Sequence, residues 1–195
     1  MNLLNGLILT GGHSMRMGRD KALIKFEGET LLDRSANLIS LFTKQLHVSV
    51  RPDQIDEPNR AKYPLIVDQE NDNGPIAGIL SAGDFDRENA WLVIACDMPY
   101  LDKESIEQLV VHRNLNKIAT VFESPDGSGI EPLCAIYESI FFKEVRSNPQ
   151  LIHNSSPRET LAEMDLEIIK ALNPRALYSA NSSSDELGKS ESILA

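Results

Sequence analysis

"LLNGLILTGGHSMRMGRDKAL", residues 3–23, decides the fold, because an apolar run stops at a glycine pair and is followed by three cationic side chains. Leu3 to Leu9 has the length and apolarity of a buried strand. It lacks the basic start and small-residue cleavage site of a targeting segment. Gly11 and Gly12 carry no Cβ, so the backbone after the strand can turn sharply and bring its N–H groups up to phosphate oxygens. Arg16 and Lys21 would neutralise those oxygens, Arg16 through a planar fork and Lys21 as a mobile point charge, with Arg19 facing solvent. The plain alternative is a turn with solvated cations. Two familiar phosphate loops do not fit. A P-loop needs G-x-x-x-x-G-K-[ST], yet Arg16 stands five residues after Gly11, Met17 five after Gly12, and Lys21 does not follow Gly18 directly. The G-x-G-x-x-G fingerprint is absent from the same stretch.

Those placed cations stand out because the chain as a whole is acidic. Its 195 residues carry 19 Lys and Arg against 29 Asp and Glu, a formal net charge of -10. General attraction to nucleic acid or to an anionic membrane surface is therefore not expected, and an anion must be caught locally. No stretch approaches the roughly 20 apolar residues that span a bilayer. Only two cysteines occur, Cys96 and Cys134, far apart and in apolar surroundings, which points to a reducing, cytoplasmic setting. The length suits one domain over residues 1–195, with the serine-rich segment 179–195 read as a solvated, mobile tail.

Further strand candidates are His47–Val50, Leu65–Val67, Leu92–Ala95 and Ile130–Glu138, each apolar or β-branched and flanked by polar or turn-forming residues. Between them, "TLLDRSANLISLF" puts Leu31, Leu32, Leu38, Ile39 and Phe42 on one helical face, with Thr30 as N-cap. A second helix is expected from Pro75, a third capped by Asp102, and a fourth from the capping-box spacing of Ser156 to Glu159. Alternating strands and helices predict an α/β fold, a mainly parallel sheet with helices on both faces. In such a sheet ligands sit beyond the carboxyl ends of the strands, so the residues after each strand are the candidates.

After the strand in "WLVIACDMPYL" comes Asp97, just before Met98-Pro99. A carboxylate there can hold Mg²⁺ against the phosphates of a nucleotide, since Mg²⁺ favours few carboxylates plus phosphate oxygens and water. An Asp serving only as a turn former is the bland alternative. In "VDQENDNGPIAGILSA", Asp68 ends a strand, while Gly74 and Gly78 flank a helix start and permit close approach of a ribose or base to the backbone. Ordinary capping is the alternative there. The four histidines are dispersed without ligand-like spacing. Cys96 reads as a small apolar packing residue.

Together the three stretches resemble one family, the molybdenum cofactor guanylyltransferases, within the Rossmann-like nucleotidyltransferases. The pattern of leucine, alanine and two glycines followed by Arg-Met-Gly and Asp-Lys stands here as "LTGGHSMRMGRDKAL", and "DNGPIAGILSA" and "CDMPYL" follow in order. The resemblance implies transfer of GMP from GTP to the terminal phosphate of molybdopterin, with release of pyrophosphate. It implies nucleotide contacts at Leu9, Thr10, Gly11 and Gly12, triphosphate contacts at Arg16 and Lys21, a nucleoside contact at Asp68, and Mg²⁺ at Asp97. Gly74 and Gly78 join the nucleotide set, and Glu131 and Asn181 are candidates on the pterin side. Transient contacts with molybdenum cofactor biosynthesis or acceptor proteins are also implied.

The chain departs from the family in three places. Thr10 replaces the usual alanine, and Arg51 stands after "HVSV" where an asparagine is common. "SANSS" matches one of two C-terminal asparagines with Asn181, Ser179 standing at the other. A cytidylyltransferase acting on the same pterin is the nearest alternative, because few contacts decide between guanine and cytosine. A non-catalytic nucleotide-binding or cofactor-delivery protein is another, although a passive carrier has no need for Arg16, Lys21 and Asp97 together.

Overall fold

The computed structural model describes residues 4–10, 20–69, 74–152 and 156–180. The opening apolar run forms β1 (Leu4–Leu9), buried along its whole length. A short hairpin follows, β2 (Lys25–Phe26) with β3 (Glu29–Thr30). Then come β4 (Leu46–Val50), β5 (Leu65–Val67), β6 (Ala90–Ala95), β7 (Ala119–Glu123), β8 (Ile130–Tyr137) and β9 (Leu166–Ile169). The helices are α1 (Leu31–Ile39), α2 (Pro75–Phe85), α3 (Lys103–Val111), α4 (Ser139–Ser147) and α5 (Pro157–Ala162).

Their starts follow from side-chain chemistry. Thr30 accepts from the Asp33 amide at 3.0 Å and Asp102 from the Ser105 amide at 2.8 Å, each satisfying an N–H that the first helical turn leaves unpaired. Ser156 does the same for the Glu159 amide, with Pro157 at the first helical position.

Apart from the hairpin, the strands make one seven-stranded sheet in the order β5-β4-β1-β6-β8-β7-β9. β5, β4, β1 and β6 are mutually parallel, and β9 is parallel to β7. β8 alone is reversed, antiparallel to both β6 and β7. Alternating residues of β1 and β6 feed two cores. Ile8, Leu92 and Ile94 pack with Leu32, Ile39, Ile106 and Leu109 of α1 and α3. Leu7, Trp91 and Val93 pack with Ile76, Ile79, Phe141 and Leu161 of α2, α4 and α5. Helices thus cover both faces, which is what strands buried on both sides require. The strand order turns back between β1 and β6, since β4 and β5 extend one way and β6 the other. That crevice, beyond the strand ends, is where open α/β sheets bind their ligands.

Candidate active site

The parallel register brings the candidate residues to one edge. Leu9 pairs with Ala95, and the Cys96 amide donates to the Leu9 carbonyl at 3.1 Å, so Thr10 and Asp97 emerge from neighbouring strands. On the other side of β1, Thr10 donates its hydroxyl to the Ser49 carbonyl at 2.7 Å. Ser49 in turn donates its hydroxyl to Asp68 Oδ1 at 2.7 Å, and the Asp68 amide bonds the Val50 carbonyl at 2.8 Å. Asp68 is therefore fixed at the end of β5 by both backbone and side chain.

Lys21 opens a 3-10 turn, Lys21–Leu23, capped by Asp20, whose Oδ1 accepts from the Ala22 amide at 3.1 Å. From that turn its ammonium reaches Asp97 Oδ2 at 2.9 Å, with both side chains about four-fifths covered (17 % and 20 % exposed). A short charge pair so far removed from water is stronger than one on an open surface. The Asp97 carbonyl accepts from the Ala180 amide at 2.7 Å, which brings the end of the described chain to the same place.

Gly74 precedes α2 with φ of +81°, a conformation that side-chain-bearing residues rarely adopt. Gly78, one turn into α2, lies against β1 and β4. A Cβ there would fall 2.3 Å from Ser49 Oγ and 2.7 Å from Leu9 Cδ2. The glycine therefore lets α2 sit close on the strand ends that carry Thr10 and Asp68.

Glu131 enters the same edge from the reversed strand. The last β6 pairing is Ile94 with Cys134, and a bulge in β8 then separates Ala135, paired with Val121, from Glu131, paired with Phe122. Glu131 Oε1 accepts from the Leu133 amide at 2.9 Å, while Arg158 of α5 lies 3.9 Å from its Oε2. Burial raises the Glu131 pKa; the Leu133 hydrogen bond and Arg158 oppose the shift, and the negative charges of Asp97 and Asp126 add to it. Burial and the neighbouring Asp97 also push the Cys96 thiol up to about 12, so it is no thiolate nucleophile at neutral pH.

Leu9, Thr10, Lys21, Asp68, Gly74, Gly78, Asp97 and Glu131 are thus brought to the carboxyl edge of the sheet or its flanking helix start. Gly11, Gly12, Arg16 and Asn181 lie outside the described residues. Arg51 is bound side by side to Asp53, Nε to Oδ1 at 2.9 Å and Nη2 to Oδ2 at 2.8 Å. Two residues escaped the sequence reading. Ser49, inside a strand, carries no signal beyond being a polar residue in an apolar run. Arg60 is wholly buried, yet it sits in the polar stretch "DEPNRAK", whose only hint is Glu57 three residues earlier.

Among the described residues, no group of three or more His, Cys, Asp or Glu is arranged to hold a metal ion by itself. No helix among them is long and apolar enough to cross a membrane.

A mostly parallel seven-stranded sheet of this order, with its candidates at the β1/β6 crevice, is the architecture of nucleotidyltransferases. Molybdopterin-guanine dinucleotide biosynthesis protein A from Archaeoglobus fulgidus superposes with a TM-score of 0.68 over 85% of this chain and 83% of that one, at 23% identity. The profile of the MobA-like NTP transferase domain matches residues 6–167, and the chain belongs to that family. A molybdenum cofactor biosynthesis bifunctional protein of Synechocystis sp. is 33% identical over 93% of this chain, which spans about half (52%) of that relative's length. A probable molybdenum cofactor guanylyltransferase of Clostridium perfringens is 29% identical over 76% of this chain and 72% of its own.

Proposed function

We propose that this nucleotidyltransferase moves GMP from GTP to the terminal phosphate of molybdopterin, forming the guanine dinucleotide form of the cofactor and pyrophosphate. The observation that carries the reading is the Lys21–Asp97 pair at the β1/β6 crevice, where an ammonium and a carboxylate stand ready for a triphosphate and its cation. The names of the relatives, molybdenum cofactor biosynthesis and molybdenum cofactor guanylyltransferase, support a guanylyl donor and a molybdenum cofactor acceptor, which this reading takes to be GTP and molybdopterin.

The chemistry asks little beyond alignment. A phosphate monoester has a second pKa of about 6, so it is already mostly dianionic at neutral pH and needs no general base. Its attack on the α-phosphorus, in line with the departing pyrophosphate, is opposed mainly by repulsion between anions. Lys21, with Arg16 from the glycine stretch, draws charge from the phosphates. Gly11 and Gly12, residues without a side chain, are assigned to the same phosphates on this reading. Leu9 and Thr10 supply the strand end against which the nucleotide lies. Asp68 meets the nucleoside beside the start of α2, where Gly74 takes its positive φ, while Gly78 serves the site indirectly by letting α2 pack against Ser49 and Leu9.

Asp97 fits Mg²⁺ on chemical grounds. It is a hard oxygen donor, partly exposed at the crevice, and the scarcity of further carboxylates suits an ion that completes its shell with phosphate oxygens and water. When bound, Mg²⁺ would lend Lewis-acid stabilisation to the transferring phosphoryl group. Lys21 would then leave Asp97 for the phosphates, so the ion pair is the resting form of both groups. Glu131 and Asn181 are assigned to the pterin side on this reading.

Two free, buried cysteines are consistent with a cytoplasmic setting, and residues 1–195 make one domain on this reading. Partners are transient, the proteins that supply molybdopterin or accept the finished cofactor. Turnover of GTP with molybdenum-bound molybdopterin, read as pyrophosphate, tests the assignment. GTP is expected to turn over and CTP to fail; tighter binding and faster turnover of CTP would replace guanylyl by cytidylyl transfer.

A further inference from the structure

A guanidinium removed from water is costly unless every donor is satisfied. Arg60, with no exposed side-chain surface, meets that condition. Nε donates to Thr10 Oγ1 at 3.0 Å, Nη1 to Asp20 Oδ2 at 2.8 Å and Glu57 Oε2 at 3.2 Å, and Nη2 to Asp20 Oδ1 at 2.9 Å and the Thr10 carbonyl at 3.4 Å. All of its N–H groups are thereby used. Only Glu57 belongs to its own turn. Thr10 directly follows β1, and Asp20 is the cap of the turn that carries Lys21. These two are ten positions apart in sequence and are held by one planar fork.

The Asp20 carboxylate is thus gripped from two sides, by Arg60 and by the Ala22 amide of the turn it caps. A turn fixed in that way gives its first residue, Lys21, one direction, and that direction ends on Asp97. Thr10 completes the arrangement. Its hydroxyl receives from Arg60 while donating to Ser49, a double role that the alanine usual at this position could not fill.

We propose that Arg60 is a positioning residue for phosphoryl transfer, holding Thr10 and Asp20 together so that the turn keeps Lys21 in the crevice beside Asp97, the place from which it meets the phosphates. The proposal rests on the reading of Lys21 and Asp97 as the groups that meet the nucleotide phosphates. Arg60 touches no reacting atom. It acts through Lys21, which separates it from a merely structural buried arginine.

The test is a double-mutant cycle on the full chain. Arg60→Lys retains a cation but loses the fork, and Lys21→Ala removes the group it aims. With GTP and molybdopterin, Arg60→Lys is expected to lower kcat/KM by about tenfold to a hundredfold, the scale of an ångström of misplacement. In the Lys21→Ala background the same change should cost less than about twofold, because coupled residues are not additive. Equal losses in both backgrounds would overturn the proposal. A second readout needs no turnover. Labelling of Lys21 by an amine-reactive reagent, followed by peptide mass spectrometry, should rise several-fold in Arg60→Lys while exposed Lys103 labels as before. An unchanged Lys21 rate overturns the positioning role whatever the substrate. A wild-type chain that protects Lys21 in this way yet does not turn over GTP would overturn the guanylyl reading alone. Should Arg60→Lys not fold, Thr10→Ala removes a single acceptor and must still speed Lys21 labelling for the proposal to stand.

Discussion

Just past the end of β6, Asp97 meets an ammonium at 2.9 Å, whereas near the start of β8 Glu131 has the Arg158 guanidinium 3.9 Å away and burial raising its pKa. The two carboxylates share a sheet edge but not an environment. The parallel side, β5-β4-β1-β6, receives Lys21 from the chain that follows β1, and two of its carboxylates are tied into a network running through Asp20, Arg60, Thr10, Ser49 and Asp68. The reversed side presents a carboxyl group that burial pushes towards its neutral form. One edge therefore sets a short charged pair beside a carboxyl group that burial holds in a less polar setting.

Breaking the parallel side should have the largest effect. Asp97→Ala and Lys21→Ala are each expected to lower turnover by at least about a hundredfold, the scale of losing one electrostatic partner of the transition state. Pyrophosphate release under saturating GTP checks this, and near-normal release by both variants would dismantle the site. Thr10→Ala should act less strongly and in two ways. It leaves the Arg60 Nε–H without its acceptor, which costs about 1–3 kcal/mol of folding stability by denaturant melt, and it lowers kcat/KM by a smaller factor than Lys21→Ala.

Glu131→Gln addresses the reversed side and should be the mildest change. A carboxyl whose folded pKa is raised stabilises the native state fully below its unfolded value, 4.5, and that contribution is lost as pH rises through the higher folded value. Glutamine keeps an acceptor for the Leu133 amide and cannot ionise. The variant should therefore melt at or slightly below the wild type at about pH 4 and above it at about pH 8, with the gap opening as pH rises past the mid-4 range. Melting midpoints that stay parallel across that range would remove the contrast between the two sides.

The same division runs through what the sequence made legible. β1, β4, β5 and β6 were marked by short runs rich in apolar and β-branched residues, which the buried strands β1 and β6 require and which β4 keeps despite the buried polar His47 and Ser49. β8 was visible for the same reason, but its reversal was not, since a strand carries no sign of direction in its composition. β7 and β9 went unmarked. β9 is a four-residue edge strand with Ile168 half exposed and Glu167 between its apolar neighbours, and its pairing with β7 is made only in the folded chain. Lys21, Asp68 and Asp97 could be picked out by their places after strands and within the family pattern. Arg60 could not, because a charged residue in a polar stretch reads as solvated until its acceptors, as many as 50 positions away, are assembled around it. The helix starts at Thr30, Pro75 and Asp102 were legible because capping is local chemistry. In α1 the expected face held at Leu31, Leu32 and Ile39, whereas Leu38 and Phe42 are only partly buried, and Ser35 and Ala36 fill the core side instead.

The bond from the Ala180 amide to the Asp97 carbonyl has a consequence for how such a chain can drift over generations. Because both partners are backbone atoms, the attachment is indifferent to the side chain at position 180. Nineteen of the usual amino acids preserve the N–H, and only proline removes it. Sequence drift there can erase any resemblance to relatives while the tether to the crevice persists, so an ancestor's contact can outlive its signature.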